Sequence, residues 1–168
     1  MTVSDLTRRF EYSYWANRKL FAVVGTLTAE EFTRDVAGSY GSVRNTLVHM
    51  MSAEWGWIER CGGPSRGPAL KGDDYPTFES LVEKWLVVEG YVHEFLDGLT
   101  DGDLQRIVSF SFGSGPTYAM PVVELLEHAA NHTVHHRGQV ALLLRALGHA
   151  PGNVDLLFYD AGRRSVGA

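Results

Sequence analysis

Four of the seven histidines lie within nine positions of one another, in the segment EHAANHTVHHRGQV that covers residues 127–140. Imidazole nitrogens can bind a transition-metal ion, accept a proton during catalysis, or form hydrogen bonds on the polar face of a helix. These roles need different placements of the side chain. The direction in which each histidine points from its helix therefore helps to decide between them.

The apolar residues around these histidines recur with the period of an α-helix and form one stripe. The stripe consists of Val122, Leu125, Leu126, Ala129, Val140, Leu143, Leu144 and Leu147. Each residue advances about 100° around the helix axis. His136 then lies about 30° and His132 about 70° from the centre of the stripe, whereas His128 and His135 lie roughly 110° and 130° away. We expect His132 and His136 to point inward and the other two to lie at the edge of the stripe.

The separation of four residues places His132 and His136 one helical turn apart, with Cβ atoms about 6 Å from each other. At this spacing two imidazole nitrogens can converge on one cation at ~2.0–2.1 Å each. The alternative is a pair of core histidines that hydrogen-bond to Glu, Asn or backbone carbonyls, and the spacing alone favours neither. The His-Glu-x-x-His pattern of zinc proteases is absent, because Thr133 stands where the catalytic Glu would be.

A third protein ligand has to come from another helix, and His49 is the candidate. It lies in the middle of the segment RNTLVHMMSAEW, residues 44–55. Three small residues share its face: Thr46, Ala53 and Gly56. We expect these neighbours to leave space around the imidazole for an ion. A lone histidine on an apolar face is ordinarily a hydrogen-bonded core residue, but pairing with an inward His-x-x-x-His favours ligation. Three ligands would leave a coordination position open for water or substrate, as in catalytic sites.

Other residues with possible chemistry have weaker signals. The single cysteine, Cys61, excludes an intramolecular disulfide and has no neighbour that would activate its thiol. Asn17 lies on the inward stripe of the first helix, where it would either orient a ligand or form a core amide. Four aromatic residues would line a substrate pocket or belong to the core: Tyr12, Trp15, Trp55 and Trp57. Glu54 and Glu127 are expected to face away from the site, so we assign no general base.

Four long helices are predicted to position these residues. They cover residues 4–24, 42–60, 77–96 and 121–148, and the first is expected to be capped by Ser4 or Asp5. Residues 106–120 alternate between polar and apolar around a turn at 113–116, which predicts a short hairpin. The fold class is therefore all-α: a single-domain four-helix bundle over residues 1–168, with a short β-hairpin excursion before the last long helix.

Composition limits the classes of function. Hydrophobic residues make up 45% and charged residues 21% of the chain, which is typical of a globular protein. The formal net charge of -5 offers no basic surface for nucleic acid. No segment approaches the ~20 apolar residues of a membrane-spanning helix, and the N-terminal segment does not match a signal peptide. We expect a cytoplasmic protein with no nucleic-acid or membrane partner.

Several segments of the chain resemble the DinB/YfiT-like family of metal-binding helical proteins. They are residues 14–20 (YWANRKL), 41–49 (GSVRNTLVH), 131–139 (NHTVHHRGQ) and 147–151 (LGHAP), together with Asp155. The resemblance implies a four-helix bundle that holds one divalent metal ion with three histidines. Those histidines correspond to His49, His132 and His136 here. The second ligand of the last helix is the latter member of the His-His pair, so His128 and His135 are implied to lie outside the ligand set.

The resemblance also implies a function. It implies zinc or nickel as the divalent ion, a homodimer as the frequent assembly of members, and for some members a low-molecular-weight thiol such as bacillithiol or mycothiol. Those thiol-dependent relatives have a further histidine after His-His, or a Glu in place of the first His, whereas this chain has Arg137-Gly-Gln. This difference leaves the use of a thiol open. We expect a metal-dependent enzyme that acts on small electrophilic substrates, and a thiol S-transferase or isomerase is the activity that the resemblance implies. Two alternatives stay open: a non-catalytic metal-binding or stress-response dimer, and a hydrolase that uses bound water.

Overall fold

Residues 1–165 are described by a computed structural model, in which four long helices form the frame. They are α1 (Val3–Val24), α3 (Val43–Arg60), α4 (Phe78–Asp97) and α5 (Val122–Ala146). Two shorter helices are α2 (Ala29–Thr33), which follows α1, and α6 (Leu156–Ser165), near the end of the chain. This architecture confirms the predicted all-α four-helix bundle.

Hydroxyl side chains cap the N-termini of three long helices. Thr2 Oγ1 accepts a hydrogen bond from the Asp5 backbone, and the Asp5 carboxylate accepts one from the Thr2 backbone, which makes a capping box. Ser42 caps α3 and Thr77 caps α4, at the residues where the sequence predicted these helices to begin. The prediction for α1 was wrong by two residues, because Thr2 is the cap instead of Ser4 and Asp5 is its capping-box partner.

The predicted hairpin is present between α4 and α5. Strand β1 (Ile107–Ser111) pairs antiparallel with β2 (Thr117–Pro121), and β2 leads directly into α5. Gly113 in the turn has φ +56°, a left-handed conformation that glycine adopts without strain. The Phe110 ring packs edge-on against Trp57 of α3, with centroids 5.5 Å apart. The hairpin therefore carries aromatic side chains to the end of α3.

Helix α5 packs chiefly against α3 and α1. The core that the long helices enclose contains large side chains with 0–1% exposure, among them Phe10, Tyr14, Leu20, Leu47, Met51 and Trp85. Because α5 has two helical neighbours, it buries residues beyond its apolar stripe. Thr133 and Arg137 are also buried, at 1% and 2% exposure, on the side of α5 next to the predicted histidine pair.

No helix within residues 1–165 combines the length and the apolar character that a bilayer crossing requires. Helix α4 is long enough, with 20 residues, but it carries several charged side chains. These are Glu79, Glu83, Lys84, Glu89, Glu94 and Asp97. Helices α1, α3 and α5 likewise carry polar side chains outside their buried faces, as expected for helices that share one bundle core.

Candidate metal centre

His49 of α3 meets His132 and His136 of α5 at one place between the two helices. The Nε2 atom of His132 lies 3.3 Å from Nε2 of His49 and 3.1 Å from Nε2 of His136. One potential ligand atom from each of the three residues lies within 4.8 Å of the others. The structure thus brings together the three histidines that the sequence singled out.

The distances between these nitrogens fit a shared cation. Two nitrogens bound to zinc at ~2.0–2.1 Å in a tetrahedral arrangement lie roughly 3.3 Å apart. The distances of 3.1 and 3.3 Å are close to that value. Without a cation, Nε2 of His132 would face two other ring nitrogens, although one ring nitrogen directs only a single proton or lone pair outward. The residues present therefore fit a divalent metal ion.

Gln139 sets the tautomer of His136. The Nδ1 atom of His136 lies 2.5 Å from Gln139 Oε1, an amide oxygen that can only accept, so Nδ1 carries the proton and donates it. In a neutral imidazole the opposite nitrogen, Nε2, then presents its lone pair to the site. Ser39 Oγ donates to the same amide oxygen at 2.6 Å, and Gln139 Nε2 donates to His135 Nε2 at 3.0 Å. Gln139 thereby holds the imidazole in the orientation that ligation needs.

Tyr40 lies against the site from the loop that precedes α3. Its ring stacks on the ring of His49 with centroids 4.0 Å apart, and its hydroxyl lies 2.9 Å from His49 Nε2. Ala37 and Ser39 have positive φ values of 56° and 49°, which is unusual for residues with a side chain. These local turns bring Tyr40 back over α3. Sequence reasoning missed Tyr40, because a loop residue has no periodicity from which its direction could be predicted.

Burial keeps the three imidazoles neutral. It lowers the pKa of His49 to about 4, with a further contribution from His136, and it lowers the pKa of His132 to about 4, with further contributions from the neighbouring histidines. The pKa of His136 is also lowered, first by burial, although the hydrogen bond to Gln139 opposes this. Neutral imidazoles offer lone pairs near pH 7 without first releasing a proton, which favours metal binding.

The remaining histidines lie outside this set. His128 and His135 are exposed, as the helical phase predicted. The His128 ring packs edge-on against Trp57 with centroids 4.6 Å apart, and His135 accepts the hydrogen bond from Gln139. His149 pairs with Glu31 at 3.3 Å. His128 and His135 therefore lie beside the candidate site, but their ring nitrogens are not among those that converge.

A cavity of about 680 Å³ opens beside His49 and His132, and we call it the site cavity. Residues of α3, of the loop after it and of the hairpin line its other walls: Trp57, Arg60, Arg66 and Phe112. Of the four aromatic residues considered for a pocket, Trp57 lies in this wall. Tyr12 and Trp15 instead pack against Tyr159, and Trp55 packs against Tyr91.

Two expectations about individual residues are resolved by the structure. Asn17 is a core amide, since its Oδ1 accepts a hydrogen bond from Arg137 at 2.9 Å. The expectation that Gly56 leaves space for an ion is wrong. A Cβ atom at this position would lie 3.0 Å from Arg66 Nη1 and 3.3 Å from Arg60 Nη1. The space beside Gly56 therefore holds two guanidinium groups.

Comparison with known proteins agrees with this arrangement. The sequence model of the DinB family matches residues 1–164. The chain belongs to the DinB family. The predicted resemblance is thus confirmed, and a three-histidine cluster in a DinB-family chain is compatible with a metal-binding protein.

Individual relatives share the length of this DinB-family chain. Protein DinB of Bacillus subtilis (strain 168) is 26% identical over 157 residues, which cover 89% of this chain and 90% of that protein. The uncharacterised protein YizA of the same strain is 26% identical over 148 residues, with 88% and 91% covered. A crystal structure of a DinB-like protein from Bacillus cereus has a TM-score of 0.74 at 23% identity, covering 92% of this chain and 98% of that one. A conserved protein from Enterococcus faecalis has a TM-score of 0.59 at 14% identity, with 87% and 97% covered.

Proposed function

We propose that this DinB-family chain is a divalent-metal-dependent enzyme that directs a thiol or a water molecule at a small electrophilic substrate. The proposal rests on one observation: three neutral imidazoles converge beside a cavity of about 680 Å³. Three protein ligands are typical of catalytic zinc sites, which keep a position for water or substrate. Zinc or nickel is the proposed ion, because imidazole ligands suit both.

The residues of the site have distinct parts in this proposal. His49, His132 and His136 would hold the ion, which supplies Lewis acidity that lowers the pKa of a water or thiol and polarises an electrophile. Gln139 keeps His136 in the tautomer whose Nε2 faces the ion. Tyr40 places its hydroxyl 2.9 Å from His49 Nε2, where the O–H group can donate a hydrogen bond to a substrate atom that gains negative charge.

A low-molecular-weight thiol is the nucleophile that we favour, as in a thiol S-transferase or isomerase. The chain has one cysteine, Cys61, and its thiol is buried with a pKa raised to about 11 by burial. A thiol nucleophile therefore has to enter the site cavity as a cosubstrate. The volume of the cavity lies within the range of ~300–1,000 Å³ that is usual for small-molecule sites.

A second candidate function is a non-catalytic metal-binding bundle, and the position of Tyr40 favours it. Structural zinc sites normally have four protein ligands. The Tyr40 hydroxyl, 2.9 Å from His49 Nε2, is close enough to the convergent nitrogens to become a fourth ligand. In that case the ion would only clamp α3 to α5, and the site cavity would have no reactive centre.

The decisive experiment measures metal content per chain by mass spectrometry on untagged protein. We expect about one ion per chain in the wild type, and loss of the ion in His49→Ala, His132→Ala and His136→Ala. His128→Ala is the matched control and should retain the ion, because its imidazole lies outside the convergent set. A folded wild type that takes up no metal on reconstitution would sink the proposal.

Activity separates the two candidate functions. Metal-loaded protein is assayed with bacillithiol, mycothiol or glutathione and a small electrophile, and in parallel without thiol for hydrolysis. The catalytic function predicts that Tyr40→Phe keeps the ion but lowers turnover by about 10²-fold, in the range found for one lost donor to a developing charge. The non-catalytic function predicts no turnover and a weaker affinity of Tyr40→Phe for the ion.

A further inference from the structure

We infer that the substrate of this site carries a carboxylate next to an apolar, preferably aromatic, group, and that Arg60 and Arg66 bind the carboxylate. The inference rests on the proposed function, since it names the class of molecule that would react beside the three histidines. It is carried by two observations that are independent of the metal. One is a pair of guanidinium groups in the wall of the site cavity, and the other is an adjoining aromatic compartment.

Both guanidinium groups lie against the same position of α3. Arg60 Nη1 donates to the carbonyl oxygen of Gly56 at 3.0 Å. Arg66 returns from the following loop, and its Nη1 donates to the backbone oxygen of Ser52 at 2.9 Å and to the Ser52 hydroxyl at 3.1 Å. A Cβ atom on Gly56 would lie 3.0 Å from Arg66 Nη1 and 3.3 Å from Arg60 Nη1. The glycine therefore allows two like charges to lie side by side in the cavity wall.

Acidic groups compensate only part of this positive charge. Glu59 Oε2 lies 4.0 Å from Arg66 Nε, and the Glu59 carboxylate also accepts a hydrogen bond from Ser65 at 2.6 Å. Asp73 lines the site cavity too, but its carboxylate already pairs with Arg44 at 2.8 Å. Two guanidinium groups beside one such carboxylate leave about one positive charge in excess, which a single carboxylate of a substrate would balance.

The two arginines also retain unused hydrogen-bond donors. Within residues 1–165, only the Nη1 atom of each guanidinium donates to a protein acceptor. Arg66 Nη2 and the Nε and Nη2 atoms of Arg60 make no hydrogen bond within the same part of the chain, and they are not among its buried atoms without a partner, so they remain open to a ligand. Guanidinium N–H groups form their strongest hydrogen bonds with ionised oxygen acceptors. A bound carboxylate would supply such acceptors.

Aromatic side chains adjoin the positive charge. The Arg60 guanidinium lies 4.9 Å from the centroid of the Trp57 ring and 5.7 Å from that of Phe112. Trp57 and Phe112 also line a second, largely apolar compartment of about 270 Å³. Its further walls are Phe110, Tyr118, Met120 and Leu125. Phe112 is 57% exposed, so an apolar group bound there would remove aromatic surface from water.

The test compares the binding of 3-phenylpropionate with that of its neutral analogue, 3-phenylpropionamide, by calorimetry or ligand-observed NMR. Both metal-free and zinc-loaded protein are used, because a carboxylate could also bind a metal ion directly. We expect the acid to bind at least about tenfold more tightly than the amide in both forms, because a charged acceptor forms stronger hydrogen bonds than a neutral one. Arg60→Gln and Arg66→Gln should each reduce this preference by about tenfold.

Two further variants make the comparison specific. Arg34→Gln is the matched control and should keep the full preference, because Arg34 is a surface residue that pairs with Glu30 at 2.8 Å. Gly56→Ala tests the same subsite without removing a charge, since the new methyl group would push both guanidinium groups aside by a few tenths of an ångström. Alanine favours the helical conformation, so this variant should fold and show a weaker preference for the acid.

Equal affinity for the acid and the amide would overturn the inference, as would a preference that persists in both arginine variants. Binding of phenyl phosphate without binding of the carboxylate would overturn it too. The metal content of the same samples separates this result from the proposed function. A protein that binds zinc but shows no preference for the acid keeps the proposed function and loses the inference. A protein that prefers the acid but takes up no metal keeps the carboxylate subsite and loses the proposed function.

Discussion

Helix α5 carries two polar clusters that differ in how their polar groups are satisfied. The histidine cluster, which consists of His49, His132 and His136, directs several ring nitrogens at one another beside a cavity. The core cluster lies deeper and consists of Arg137, Glu54, Thr133, Tyr14 and Asn17. The two clusters alternate along the sequence, since Thr133 follows His132 and Arg137 follows His136. Neighbouring residues of α5 thus belong to different clusters.

The core cluster finds several of its partners within the protein, although Arg137 Nη2 and Asn17 Nδ2 are buried without a hydrogen-bond partner among residues 1–165. Arg137 Nη1 donates to Asn17 Oδ1 at 2.9 Å and to the Ser13 backbone oxygen at 3.0 Å, and the side chain is almost fully buried. Glu54 lies 3.5 Å from the hydroxyls of Tyr14 and Thr133. Burial raises the pKa of Glu54 to about 7 with a contribution from Glu89, while Arg137 acts in the opposite direction. Positive and negative groups therefore compensate one another within the protein.

The difference indicates what each cluster is for. A buried polar group that finds its partners inside the fold contributes to structure, and removing one partner leaves the others uncompensated. Of the convergent ring nitrogens, His49 Nε2 has a hydroxyl partner in Tyr40, and a bound ion would satisfy the ring lone pairs that otherwise face one another. We infer that metal changes the contribution of the histidine cluster to stability, whereas the contribution of the core cluster is the same with and without metal.

The largest effect is expected from Arg137→Ala. This change removes the donor to Asn17 and Ser13 and leaves the Glu54 carboxyl without its positive neighbour. The free energy of unfolding should fall by about 3–5 kcal/mol, the usual cost of breaking a buried charged network. Urea unfolding in the presence of a chelator measures it. Arg145→Ala, an exposed arginine of the same helix, is the control and should change stability by less than about 0.5 kcal/mol. Equal effects of the two changes would contradict the structural role of Arg137.

Metal removal should have the next largest effect. A ligand that binds only the folded state stabilises it by about 2.7 kcal/mol at a hundredfold excess over its Kd. The wild type should therefore gain that stability on addition of zinc or nickel and lose it with a chelator. His49→Ala, His132→Ala and His136→Ala should show no gain, while His128→Ala should show the full gain. A metal-dependent gain that survives in the three variants would place the ion elsewhere.

Gln139→Leu should have a smaller effect on the same measurement. The substitution removes the acceptor that holds the Nδ1 proton of His136 but leaves all three imidazoles in place. Loss of such a supporting hydrogen bond typically costs 10–100-fold in metal affinity, about 1.4–2.7 kcal/mol. Metal titration in competition with a chromophoric chelator measures the affinity. His135→Ala is the control, because His135 contacts the amide nitrogen of Gln139 and not its oxygen. If Gln139→Leu bound metal as tightly as this control, the orienting role of Gln139 would be wrong.

Much of the frame could be predicted from the sequence, because helical periodicity and capping residues act locally. Ser42 and Thr77 were predicted at helix starts, and the alternation around residues 113–116 predicted the hairpin. The direction of His132 and His136 followed from the phase of the apolar stripe. The assignment of His49 required more evidence, since only its pairing with the histidines of another helix and the family resemblance distinguished it from a core histidine.

The remaining features depend on contacts that are distant in the sequence. Arg137 is buried because acceptors on α1, more than a hundred residues away, receive its hydrogen bonds, and no local pattern signals this. Tyr40 reaches the site through loop turns that lack periodicity. Gly56 shares the face of His49, but the space beside it is filled by Arg66 from the following loop. In each case the local inference was limited by a partner that only the tertiary fold supplies.

The two clusters should also give opposite pH dependences in metal-free protein, and this is the smallest effect that we expect. The pKa of Glu54 is raised to about 7, so its contribution to stability is complete below the ordinary glutamate pKa and is lost as the pH rises through about 7. The pKa values of His49 and His132 are lowered to about 4. Their contribution is therefore present above the ordinary histidine pKa and is lost as the pH falls towards about 4.

Glu54→Gln separates these contributions. Glutamine keeps the shape of the side chain but does not titrate, so only the histidine contribution should remain between about pH 5 and pH 7. Relative to the wild type, the free energy of unfolding of the variant should then rise by on the order of 1–2 kcal/mol across this interval. Urea unfolding with a chelator present measures it. Glu83→Gln, which changes an exposed glutamate of α4, should run parallel to the wild type. If the stability of Glu54→Gln also ran parallel to that of the wild type, Glu54 would have to stay ionised in the core over this whole interval. The attraction of Arg137 would then outweigh desolvation, which the structure indicates as the larger effect on the pKa of Glu54.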